Sequence, residues 1–189
     1  MTRTALFVID IQGELAQDPK TEIPHAKRIR EAGDAILTKA REAIDKARAN
    51  GQHSDLEIVI VQHEEKPEEG TMIRGSKSWE LVFAPREGDD TEILVSKDVS
   101  DTFESNPQLA SQLKARGVEN IVAFGIQSEY CVRSTCNGAL AAGFKVTLLQ
   151  GAHSTYDVDG KKAEEIETEV GQELKEKGTD IIPWASWQP

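Results

Sequence analysis

The chain predicts a parallel α/β sheet with helices on both faces, and three observations carry that expectation. Apolar runs of strand length alternate with stretches patterned at helical spacing along the whole chain. The runs are apolar throughout, with no polar residue at every second position, so both of their faces must be buried. Glycines stand where the helical stretches stop. A sheet covered by helices on each side satisfies all three.

Taken in order, the first strand is expected over Ala5–Ile9. A long helix follows, in which Ile29, Ala32, Ile36, Ala40, Ala43 and Ala47 form one apolar stripe and Asn50-Gly51 supplies the stop. The second strand is expected over Leu56–Gln62. The segment His63–Asp90 differs, being polar and rich in Gly and Pro, with a brief apolar interruption at Trp79–Phe83. A connection of that length is expected to be a functional loop or lid. The third strand, Glu92–Ser96, leads to a helix around Pro107–Arg116, where Leu109 and Leu113 share a face and Gly117 ends it. The fourth strand, Asn120–Phe124, ends in Gly125, after which Val132, Cys136, Ala139 and Leu140 recur at helical spacing. A fifth strand is expected over Lys145–Leu149. The last helix runs from about Gly160 to Lys177, burying Ala163, Ile166, Val170 and Leu174, and Asp180–Ile182 is a short final strand. With no repeat, low-complexity tract or dividing linker, residues 1–189 are expected to form one domain.

Composition narrows the function. A length of 189 residues allows a sizeable core, and 38% hydrophobic with 29% charged residues is ordinary for a soluble globular protein. Net charge of −11 argues against a nucleic-acid or anionic-membrane partner, since both need a basic surface. The acidic clusters Glu64-Glu65 and Glu164-Glu165 read as solvated surface. No apolar run reaches the roughly 18 residues of a membrane span. The N-terminus enters Ala5–Ile9 without a basic region or cleavage site, so no secretory signal is expected. Cys131 and Cys136 lie on one expected helix and point in different directions, which argues against a mutual disulfide. Free thiols fit a reducing, cytoplasmic setting.

Parallel strands share one carboxyl edge, where such sheets bind ligands. Asp10 closes the first strand, Lys97 closes the third, and Cys131 follows the fourth at the start of a helix. A carboxylate, an ammonium and a thiol therefore converge although they are distant in sequence. Unpaired N–H groups at a helix start favour an anion, so the thiol pKa is expected to fall and the same groups to hold an oxyanion. Lys97 would stabilise the thiolate and keep Asp10 ionised. Asp10 would take the thiol proton and return it to a leaving amine.

Five segments resemble cysteine hydrolases of the isochorismatase-like superfamily, which includes nicotinamidases, carbamoylsarcosine amidase, and ureidoacrylate and biuret hydrolases. They are Asp10-Ile11-Gln12; Arg74-Gly75-Ser76 with Trp79-Glu80-Leu81; Ser96-Lys97 followed by Phe103; Gly125 to Val132; and Gly151-Ala152-His153-Ser154-Thr155. The resemblance runs from about residue 5 to residue 156. It implies a three-layer, six-stranded Rossmann-like fold and the triad Asp10, Lys97 and Cys131; no cofactor is expected. It also implies a non-proline cis peptide at Ile126–Gln127, turning the Gln127 N–H toward that of Cys131 to form an oxyanion hole. A homo-oligomer is implied as well. The activity implied is hydrolysis of a small amide or ureido C–N bond through a Cys131 thioester.

Departures bear on substrate. The aromatic residue often found five positions after the catalytic Asp is Leu15, which removes a stacking wall for a flat ring. The nicotinamidase pattern of Asp-x-His followed by a second His is replaced by Gln62-His63-Glu64-Glu65, so no metal is expected. Gln12, His63, Trp79 and Tyr130 are candidate substrate contacts, and His153 is expected to hold a turn near the site. Two alternatives stay open on the same scaffold: isochorismatase-type vinyl-ether hydrolysis and a non-catalytic binding protein. A nucleotide-binding module is disfavoured because the first strand runs into Asp10-Ile11-Gln12-Gly13, not a Gly-x-Gly-x-x-Gly loop.

Overall fold

Each of the six apolar runs forms a strand in the computed structural model, which describes residues 2–189. The strands are β1 (Arg3–Ile9), β2 (Leu56–His63), β3 (Glu92–Lys97), β4 (Val118–Ile126), β5 (Lys145–Ser154) and β6 (Asp180–Pro183). They form one sheet in the order β3-β2-β1-β4-β5-β6, and every neighbouring pair is parallel. The chain winds outward from β1 to β3, returns beside β1 as β4, and winds out the other way. The carboxyl ends of β1 and β4 therefore flank the point where the winding reverses, the position that opens a crevice in such sheets.

The helices are α1 (Gly13–Ala16), α2 (Ala26–Ala49), α3 (Thr102–Ser105), α4 (Leu109–Ala115), α5 (Arg133–Ala141) and α6 (Ala163–Glu176). Alternate residues of each strand feed opposite faces of the sheet. Leu6, Val8, Ile58, Ile60 and Phe124 pack under Ile29, Ile36 and Ile44 of α2. Ala5, Phe7, Ile9, Val59 and Val61 pack under Leu113 of α4, Ala139 of α5 and Val170 of α6. Burying each large aliphatic side chain contributes about 1.5–3 kcal/mol, so the sheet is held from both sides.

The sequence expectation departs from the structure first at the sheet edges, where β3 and β6 have only one neighbouring strand and are not buried on both faces, Leu94 of β3 being 48% exposed. In α2 the buried stripe ends on Ile44, while Ala43 and Ala47 stay half-exposed, because Ile44 continues the row of Ile36 and Ala40 at a spacing of four. The helices α1 and α3 have one turn each, too short to show a period. Strand β5 continues past Leu149 to Ser154, since the register shift between Ala123 and Gly125 lets Gly125 pair with His153.

The long segment between β2 and β3 is tied to the sheet edge by its backbone. Gly13 N–H donates to Glu80 O at 2.8 Å and Val82 N–H to Ile11 O at 3.0 Å. Leu81, Val82 and Phe83 pack on the α2 face.

Gly125 shows how tightly β1 and β4 are matched where they end. Its φ is 142°, and a Cβ added there would lie 2.0 Å from Ile9 O. A side chain has neither the backbone conformation nor the space it needs. Gly125→Ala is expected to destabilise the protein by about 3 kcal/mol or more, seen as a lower urea midpoint with an unchanged slope. An unchanged midpoint would contradict this packing.

Candidate active site

Three strand ends build the site. Asp10 follows β1 with φ of 50°, in the left-handed region that turns the chain off the strand, and its N–H donates to Val61 O at 3.1 Å. Lys97 ends β3, where the parallel register sets it beside His63 of β2. Beyond β4 the Ile126–Gln127 peptide is cis, and a π-helical turn over Ser128–Val132 carries Cys131 before α5 begins.

Lys97 is the hub. Its Nζ lies 2.7 Å from Asp10 Oδ2, with the two side chains 0% and 1% exposed. The same nitrogen is 3.1 Å from Cys131 Sγ, 3.2 Å from Val99 O and 3.2 Å from His63 Nδ1. Burial is the strongest influence on this ammonium and lowers its pKa, but Asp10 and Cys131 together outweigh it and the pKa is raised. An ammonium only donates, so His63 Nδ1 accepts and the imidazole proton sits on Nε2. Burial first, and then Lys97, lower the His63 pKa, which keeps that ring neutral. Among the described residues Asp10 Oδ1 is buried with no hydrogen-bond partner, leaving a carboxylate oxygen free to take a proton.

Cys131 corrects one expectation. Its thiol is pushed up to about 12, first by burial and then by the Asp10 charge, which outweigh Lys97. Burial and the neighbouring carboxylate thus outweigh any stabilisation of an anion by the turn, in which Tyr130 N and Val132 N both donate to Gln127 O. The resting group is therefore a thiol beside a carboxylate–ammonium pair.

A cavity of about 220 Å³ opens over these groups, and Asp10, Leu15, His63, Met72, Tyr130 and Cys131 are among its lining residues. A larger cleft of about 800 Å³ runs along β5, α6 and β6 but contains none of the three convergent residues. Only the smaller of these two cavities is lined by Asp10 and Cys131.

Of the candidate substrate contacts, the structure brings His63 and Tyr130 to the cavity but not Gln12 or Trp79. The Gln12 amide is taken up by backbone: Nε2 donates to His63 O and Trp79 O, each at 2.9 Å, and Oε1 accepts from His63 N at 2.9 Å. Trp79 O accepts a second bond from Gln62 Nε2 at 2.9 Å. These two residues anchor the long segment to β2 and position the wall of the cavity.

His153 supports the Cys131 turn from behind, its Nδ1 lying 2.8 Å from Ser128 Oγ. Thr155 adds a bond of 2.8 Å to Glu129 Oε1. Sequence reasoning missed Met72, Ser100 and, as a pocket residue, Glu65, all of which line the cavity. Nothing in the polar loop pattern marks them. Among the described residues no three His, Cys, Asp or Glu side chains are grouped to hold a metal ion. His63 does not fit that role, because its Nδ1 faces an ammonium. No helix of the described residues is long and apolar enough to cross a membrane.

The fold and site define a parallel α/β protein with a carboxylate, ammonium and thiol meeting at the carboxyl edge of its sheet. The isochorismatase domain model matches residues 4–172, and the chain belongs to that family. Streptothricin hydrolase of Streptomyces noursei is 31% identical over 82% of this chain and 55% of its own length. Ureidoacrylate amidohydrolase of Stutzerimonas stutzeri is 30% identical over 80% of this chain and 70% of its own. A probable inactive nicotinamidase of Arabidopsis thaliana is 28% identical over 79% of each chain. The chain thus spans about half the length of the streptothricin hydrolases it matches. Among solved structures, pyrazinamidase of Pyrococcus horikoshii in complex with zinc is 27% identical, with a TM-score of 0.68 over 96% of this chain and 99% of that one.

Burial, with Arg28 second, lowers the His153 pKa to about 4. A base whose folded pKa lies below its unfolded value near 6.5 adds stability above that value and loses it as pH falls through the folded pKa. His153 is expected to contribute about 3 kcal/mol at neutral pH that disappears toward pH 4. An NMR titration of its ring should give a pKa near 4, and a value near 6.5 would contradict the buried, neutral ring.

Proposed function

We propose that the protein is a cysteine hydrolase that cleaves a small-molecule amide or ureido C–N bond through a thioester on Cys131. The observation that carries this reading is the Lys97 ammonium, which touches Asp10 at 2.7 Å and Cys131 at 3.1 Å beneath one cavity. Family membership supports it, as does similarity to a protein named as an amidohydrolase.

In the resting site the thiol is protonated and Asp10 is paired with Lys97 at 2.7 Å. A substrate carbonyl enters above Sγ. As sulfur attacks the carbonyl carbon and the C–S bond forms, the thiol proton passes to Asp10. The N–H groups of Gln127 and Cys131 receive the negative charge that develops on the carbonyl oxygen. Asp10 then gives its proton to the leaving nitrogen, the C–N bond breaks, and an acyl thioester remains. Water attacks that thioester and yields its proton to Asp10. The C–S bond breaks, the acid departs, and sulfur recovers its proton from Asp10. Lys97 stays an ammonium throughout and balances whichever of Asp10 or sulfur bears the negative charge. A high thiol pKa suits this cycle, since a basic sulfur is the stronger nucleophile once its proton has left.

Ammonia release separates the alternatives. Wild type is expected to release ammonia from members of a panel of small amides, carbamoyl and ureido compounds. Cys131→Ala should lose at least about 10³-fold of that rate while keeping its circular dichroism. Isochorismate turnover that survives in Cys131→Ala would contradict the thioester route and favour vinyl-ether hydrolysis.

A further inference from the structure

The charges that face the cavity identify what kind of amide it accepts. Two carboxylates line it, Asp10 and Glu65. One ammonium, Lys97, lies beneath and is paired with Asp10 at 2.7 Å. His63 is neutral, its pKa lowered by burial and by Lys97, and the Cys131 thiol is protonated. The balance is one negative charge, and it belongs to Glu65. Among the described residues no arginine or lysine lines the cavity.

Glu65 is held in place for this role. Its N–H donates to Met72 O at 3.0 Å, and its Oε2 accepts from Met72 N at 2.9 Å. That pair of bonds fixes the carboxylate and leaves Oε1 free. His63 Nε2 lies 4.0 Å from Oε1, beyond hydrogen-bond reach. The basic residues nearest in sequence are engaged elsewhere: Arg74 with Glu64 at 2.7 Å and Lys66 with Glu69 at 3.1 Å. Asp98, outside the cavity, adds a further negative influence on His63. At about 220 Å³ the cavity is also smaller than the roughly 300–1,000 Å³ pockets that hold drug-sized ligands.

We infer that the pocket selects short amides carrying a positive charge at the end remote from the scissile bond, with Glu65 Oε1 as the partner of that charge. Substrates carrying a carboxylate there are disfavoured, because they would lose water, meet no cation and face Glu65. The identity of the ligand as an amide rests on the function proposed above. The charge preference does not, and it is tested separately.

The first test uses the Cys131 thiol as the reporter and needs no turnover. Aminoethyl methanethiosulfonate is cationic and its sulfonatoethyl analogue is anionic. Each forms a mixed disulfide with the thiol and expels methanesulfinate. Their rates at Cys131, followed by peptide mass spectrometry and divided by their rates with β-mercaptoethanol, report the local potential. The cationic reagent is expected to be favoured by about tenfold or more, and Glu65→Gln, which keeps an acceptor for Met72 N, should remove most of that preference. A ratio near one, or a ratio unchanged in Glu65→Gln, would overturn the inference. The second test compares kcat/KM for γ-aminobutyramide, valeramide and succinamate, in that expected order. Ammonia released fastest from succinamate would overturn the charge selection while leaving the amidase reading intact. A cationic reagent preference with no ammonia from any amide would uphold the charge selection and count against the amidase reading.

Discussion

A single buried ammonium organises this protein. Lys97 Nζ sits within 3.2 Å of a carboxylate, a thiol, an imidazole nitrogen and a backbone carbonyl. These acceptors come from the end of β1, from the turn after β4, from the end of β2 and from the segment after β3. Removing one partner of a buried pair strands the other, at a cost of about 3–5 kcal/mol. The four segments are therefore tied to one another through a charge, at the edge of the sheet where the hydrophobic core no longer reaches.

Parallel strand geometry makes this convergence possible. Because β1 and β4 are neighbours at the reversal of the winding, Asp10 and the Cys131 turn arise side by side. The β2–β3 register then sets Lys97 next to His63. Gly125 lets β4 close on Ile9 without a side chain between them. Behind the turn, His153 near the end of β5 and Thr155 just past it fix Ser128 and Glu129. Gln12 performs the corresponding task on the other side, stitching the end of β2 and the long segment together through three backbone contacts. Rigid elements carry the three convergent groups, and backbone hydrogen bonds carry the wall of the cavity. Such support keeps polar groups aligned without a large apolar pocket around them.

Much of this was legible in the sequence for a physical reason. The inner strands β1, β2 and β4 are buried on both faces and write nearly uninterrupted apolar runs, the edge strands β3 and β6 are legible from shorter ones, and a parallel sheet forces their terminal residues together. That is why Asp10, Lys97 and Cys131 were identifiable across more than a hundred positions. The same logic does not reach side-chain direction. Gln12 and Trp79 are expected at the pocket, yet the Gln12 amide bonds backbone groups and the Trp79 indole nitrogen is buried away from the cavity with no hydrogen-bond partner among the described residues. Met72 and Glu65 were invisible as pocket residues, since a polar loop has no period to reveal which of its residues turn inward. The thiol pKa was misjudged for a related reason. A helix start predicts stabilisation of an anion, but burial and the Asp10 charge depend on tertiary packing and dominate at Cys131. The isochorismatase match confirmed the family on independent grounds, while the roles of individual residues rest on geometry and chemistry.

The central claim is that Lys97 balances the Asp10 carboxylate while Cys131 waits as a thiol. Ultraviolet thiolate absorbance, recorded as a pH titration of wild type minus Cys131→Ala, tests it most directly. No thiolate signal from Cys131 is expected between about pH 6 and 9, because its pKa is pushed up to about 12. A full thiolate equivalent at neutral pH would contradict it and would make a preformed thiolate–ammonium pair the resting state.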